Sequence, residues 1–116
     1  MSIFTSCNKD VEGSYFELSK GETEMIYNET ICADPWYDFF NKKELSSKNK
    51  DEKLKLYLDS LNIATLQIAY VKEANDVDVT CSACKCFSGA MFYVKLLKES
   101  PATDELKKLG FVPYNE

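Results

Sequence analysis

The chain has no histidine and no arginine; all 14 of its basic residues are lysines. Without imidazole, Ser-His and Cys-His catalysis, HExxH metal chemistry, mixed Cys/His zinc sites and histidine-held copper or haem are excluded. Any catalysis would have to run on cysteine, carboxylate, lysine or tyrosine, so a non-catalytic binding or structural module is expected. Without guanidinium there is no planar fork for bidentate recognition of carboxylate or phosphate. The formal net charge of −5 argues against nucleic acid as a partner, because phosphate neutralisation requires clustered cations. No apolar run reaches the roughly 18 residues needed to cross a bilayer. Glycine is scarce, at 4 residues. Ser88-Gly89 forms neither a phosphate loop nor a nucleophile elbow.

The composition is otherwise that of a folded chain. At 116 residues and 45% hydrophobic, with 7 phenylalanines and 7 tyrosines, one domain can bury roughly two-thirds of its unfolded surface. A core of that size does not require covalent staples. The 5 cysteines therefore call for a separate explanation.

The N-terminal string Ile3-Phe4-Thr5-Ser6-Cys7 places small residues just ahead of a cysteine. It resembles the end of a bacterial lipoprotein signal peptide, with Phe4 where leucine is usual. The resemblance covers only these few residues. It implies acylation of Cys7 and a chain tethered to the outside of a bacterial membrane, facing the periplasm or the exterior. Residues 1–13 would then be lipobox and tether, and 14–116 a single α+β domain. The alternative is a cytoplasmic terminus with one free cysteine.

Along the domain, Tyr15–Leu18 is β-prone and ends at the turn signal Lys20-Gly21. Thr23–Cys32 alternates, with Met25, Tyr27 and Ile31 at odd positions, so the two runs predict a hairpin. Asp34-Pro35 pairs an N-cap with proline at the first helical position. Trp36, Phe39, Phe40 and Lys43 follow at helical spacing over two turns. After the polar linker Ser46–Lys50, Asn49-x-x-Glu52 has the form of a capping box. Leu54, Leu58 and Leu61, with Tyr57 beside them, give the strongest helix its apolar stripe, and Asn62 can end it in a left-handed conformation. Ile63–Lys72 and Ala90–Leu97 predict two strands, the second with Phe92, Val94 and Leu96 on its core face. Ser100-Pro101 starts a last helix in which Leu106 and Leu109 face the core before Gly110. The expected fold is a two-layer α+β sandwich of order β-β-α-α-β-β-α, with helices on one face of a small antiparallel sheet and a possible final edge strand.

Cys81, Cys84 and Cys86 crowd the segment TCSACKCFSG, and Cys32 lies far upstream. In an oxidising compartment these four would pair as disulfides, with three possible connectivities. A bridge between Cys84 and Cys86 is disfavoured by strain, which leaves Cys32 joined to one of them and Cys81 to the other. In a reducing compartment the same four thiolates could surround zinc or copper(I). A redox-active Cys81-x-x-Cys84 pair would need a helix N-terminus behind the first thiol, and a strand follows instead. No cofactor is expected under the disulfide reading.

Two further groups stand out. Trp36 and Tyr37, in the densest aromatic patch, could form a binding surface for a protein or small molecule; helical spacing favours core for Trp36 and exposure for Tyr37. The acids Glu22, Glu24 and Glu29, and again Asp76 and Asp78, lack the ligand spacing of a calcium loop and read as solvated charges.

Overall fold

The computed structural model describes residues 15–72 and 83–114. The fold is a four-stranded antiparallel sheet of order β2-β3-β1-β4 with three helices against it. The strands are β1 (Glu22–Thr30), β2 (Gln67–Val71), β3 (Phe87–Leu97) and β4 (Val112–Pro113); the helices are α1 (Tyr37–Phe40), α2 (Lys50–Ser60) and α3 (Ala102–Leu109). The α+β class is as expected. The order of elements is not, because the first predicted strand does not form.

Residues Tyr15 and Phe16 instead cross the sheet face opposite the helices. Their backbone N–H groups donate to the Glu24 carboxylate at 2.9–3.1 Å, and the Tyr15 ring stacks on Tyr93 at 4.7 Å. A side-chain carboxylate on β1 thus takes the bonds that a strand partner would have taken. The turn at Lys20-Gly21 does form, with Gly21 at φ 85°. The chain enters β1 from it.

The register of the sheet builds the core. Tyr27 faces Phe92 and Met25 faces Val94 across β1 and β3. Tyr70 and Ile68 complete the same two rows from β2. Phe92, Val94 and Leu96 are fully buried, as their alternation predicts. Trp36, at 1% exposure, packs into this face with ring centroids 4.6 Å from Tyr27 and 5.4 Å from Phe92.

Helix boundaries follow local chemistry. Glu52 Oε1 accepts the Asn49 backbone N–H at 2.9 Å, closing the capping box of α2. At the other end Asn62 adopts φ 62°. Ile63 N–H donates to the Leu58 carbonyl at 2.9 Å, and Asn62 N–H to that of Asp59 at 3.0 Å. That is the Schellman pattern. The same pattern ends α3, where Phe111 N–H reaches the Leu106 carbonyl and Gly110 N–H that of Lys107, each at 3.0 Å. Gly110 is required there: its φ is 109°, and a Cβ would meet the Tyr27 ring at 3.0 Å. Beyond it Val112–Pro113 pairs with β1 as the expected edge strand.

Several boundaries differ from expectation; β2, for one, begins at Gln67 and not at Ile63. α1 is a single turn, Tyr37–Phe40, capped by Trp36 rather than Asp34, because the Asp34 side chain is engaged with β1. Leu61 lies in the turn after α2 and is 46% exposed, so the stripe of that helix is Leu54 and Leu58. β3 begins at Phe87, before Gly89, which brings Cys86 to the start of the strand.

Candidate functional site

The site is built where β1 ends. A register shift between Asn28 and Thr30 interrupts the β1–β3 ladder. Past it two backbone bonds resume the pairing: Ile31 N–H to the Cys86 carbonyl at 2.9 Å, and Cys32 N–H to that of Cys84 at 3.1 Å. The Cys32–Cys84 disulfide locks the same juncture, with Cα atoms 4.5 Å apart, inside the range a bridge requires. Cys86 is also disulfide-bonded. The distant cysteine therefore does meet the cluster, as its isolation in the sequence suggested. Cys7 and Cys81 lie outside the described residues, as do Asp76 and Asp78.

With Cys32 and Cys84 joined, neither sulfur is a free thiolate. Among the described residues no group of three or more cysteine, aspartate or glutamate side chains could hold a metal ion. The four-thiolate chelate requires the reduced chain.

The turn leaving β1 is tied by Asp34. Its Oδ1 accepts from Thr30 N–H at 2.9 Å, Thr30 Oγ1 at 2.7 Å and the Tyr27 hydroxyl at 2.9 Å. All three donors are neutral. Beside it Glu29, only 6% exposed, gathers three elements. Its Oε1 accepts from the Tyr70 hydroxyl of β2 at 2.8 Å and from Ser88 of β3 at 2.6 Å. Its Oε2 pairs with the Lys50 ammonium of α2 at 2.5 Å.

Glu24 and Glu29 are thus buried strand carboxylates, not solvated loop charges. Each is satisfied by several donors, which is the condition for burying an anion. A signal for Glu29 was present, since it shares odd parity with Met25 and Tyr27 and so falls on their face. For Glu24 there was none, because the segment covering it reads as a strand. Lys50, Tyr70 and Ser88 carry no local pattern; only tertiary structure joins them. Trp36 is core and not surface, whereas Tyr37 is exposed.

A cavity of ≈ 330 Å³ opens between these groups, lined by Glu29, Asp34, Trp36, Tyr37, Lys50 and Lys53 among others. That is within the size range of small-molecule sites. The Trp36 indole nitrogen is buried and has no hydrogen-bond acceptor among the described residues.

The phenols of this network resist ionisation. Burial raises the pKa of both Tyr27 and Tyr70 well above the ordinary tyrosine value, and the accepting carboxylates, Asp34 and Glu29 respectively, add to it. Burial raises Tyr93 as well. A native-state pKa above that of the unfolded chain means the unfolded chain loses its protons first. Stability from these phenols is therefore intact below about pH 10 and declines as pH rises from there toward their folded values. In a spectrophotometric titration, Tyr27→Phe and Tyr70→Phe should each remove one late-ionising phenol. A variant curve that overlays the wild type would contradict the assignment.

The chain matches no protein-family model, no curated protein and no solved structure. What its fold and site define is a disulfide-stabilised α+β module.

Proposed function

We propose that this module is an extracytoplasmic bacterial lipoprotein domain, tethered through Cys7, that binds a ligand and does not catalyse a reaction. The observation that carries this reading is the Cys32–Cys84 disulfide, together with the oxidised state of Cys86. Structural disulfides persist in exported proteins and are rare where glutathione keeps thiols reduced. With Cys7 acylated, Cys81 is the cysteine left to pair with Cys86. The non-catalytic reading is supported by the absence of histidine and by the use of both Glu29 oxygens as structural acceptors.

Lipid attachment is tested by joining an export leader ahead of Ser2 and growing the cells with labelled palmitate. The wild-type chain should take up label and fractionate with membranes, while Cys7→Ser should be unlabelled and soluble. Equal labelling of the two would overturn the anchor. The disulfides are tested by non-reducing peptide mapping of protein taken from the periplasm. Linked peptides containing Cys32 with Cys84 and Cys81 with Cys86 are expected. Four free thiols that take up one equivalent of zinc would overturn the exported module in favour of a metal-binding protein.

A further inference from the structure

We infer that the cavity beside Trp36 is a binding site for a small zwitterion, a free α-amino acid, whose ammonium pairs with Asp34 and whose carboxylate pairs with Lys53. The inference deepens the binding-module reading and rests on it. It starts from what the cavity walls leave unpaired. Glu29 and Lys50 neutralise each other, and the Glu29 carboxylate is filled by Tyr70 and Ser88. Asp34 and Lys53 are different. The hydrogen bonds to Asp34 come from neutral donors and all reach Oδ1, so Oδ2 accepts from none of the described residues. Lys53 makes no ion pair among the described residues, and its ammonium lies 5.9 Å from the centre of the Phe40 ring. One anion and one cation thus line the same cavity without partners of opposite charge.

A carboxylate seated against Lys53 would supply the opposite charge that its ammonium lacks. The remaining valence, at Asp34, calls for a cationic donor on the same small molecule. Other ligand classes fit less well. A sugar is held by stacking on an open ring face, but Trp36 is buried within the aromatic core. A divalent cation would need a third ligating side chain, and no such set occurs among the described residues.

Because Trp36 is the only tryptophan of the chain, its fluorescence reports directly on this cavity. The full chain, with its disulfides intact, is titrated with each non-aromatic L-amino acid, and binding is followed by emission and by calorimetry. At least one should bind at a single site and shift the Trp36 emission. Its N-acetyl and methyl-ester forms, lacking one charge each, should bind about tenfold or more weakly. Lys53→Met, a change outside the core, should weaken binding by a similar factor, and Asp34→Asn likewise. Lys55→Met, whose native partner is Asp59, should leave it unchanged.

No binding of any amino acid at millimolar concentration would overturn the inference, as would glucose binding in their place. Unchanged affinity in Lys53→Met would overturn it even if Asp34→Asn fails to fold. None of these results bears on palmitate labelling or peptide mapping, so the site can fail while the anchored module stands.

Discussion

The double substitution Cys32→Ser with Cys84→Ser is expected to lower the unfolding free energy by about 4 kcal/mol, within the 2–5 kcal/mol usual for loss of a native bridge. The bridge spans 52 residues. In the chain-entropy account, a loop of that length restricts the unfolded chain enough to give that figure. A domain of this size has only about 5–15 kcal/mol in total, so the variant should melt roughly 10–20 °C lower. Both cysteines are replaced together so that neither is left as a lone thiol to exchange with the disulfide at Cys86. Urea denaturation followed by circular dichroism measures the change. A difference under about 0.5 kcal/mol, the size of an ordinary surface substitution, would show that the link constrains nothing the fold does not already fix. The loss should also be local. The Ile31 and Cys32 amides bond to carbonyls in the cysteine segment, and they should exchange with solvent faster in the variant than those at the centre of β1.

This juncture also marks how far the sequence was readable. Crowding of Cys32 against the cluster followed from cysteine chemistry, because a cysteine far from its peers would serve neither bridge nor chelate. Which cysteine it meets did not follow. That choice is made by the register past the interruption between Asn28 and Thr30, a detail with no local signature. The acids show the same limit. Glu29 was legible by parity, yet its three donors come from α2, β2 and β3 and no pattern joins them. Asp34 read as the N-cap of a helix, ahead of Pro35, and that role falls to Trp36. The Asp34 side chain reaches back to Thr30 and Tyr27 rather than forward to a helix, because the turn offers three donors at once.

Most elements held by their own residues were readable. The capping box at Asn49, the left-handed Asn62, the Gly110 stop and the core alternation of Phe92, Val94 and Leu96 are all local rules, and all are obeyed. Elements defined by a distant partner were not. Tyr15–Leu18 has the composition of a strand, but its expected hairpin partner β1 pairs with β3 on one side and, at Met25 and Ile26, with β4 on the other. The Glu24 carboxylate gave its amides another partner. Strand order belongs to the same class, since β1 and β3 are centre neighbours separated by two helices and a strand.

Leu58→Ala should cost about 2–5 kcal/mol, measured by the same urea titration. α2 has few apolar attachments: Leu54 and Leu58, both at 0% exposure, are its only fully buried side chains, with Tyr57 partly packed against the core. Leu58 also stands opposite Ile63 in the Schellman turn, where the carbonyl of one accepts the N–H of the other and both side chains enter the core. Truncation opens a cavity that Ile63 and Leu54 cannot fill without disturbing that turn. Alanine is the better helix former by a few tenths of a kcal/mol, so intrinsic propensity offsets a little of the loss and none of it explains it. Leu61→Ala is the matched test of the revised stripe. By spacing it belongs with Leu54 and Leu58, but the helix has already ended and its side chain is 46% exposed; its cost should stay near 0.5 kcal/mol, as for other surface sites. Equal losses at Leu58 and Leu61 would mean that the helix continues past Ser60 and that Asn62 does not stop it.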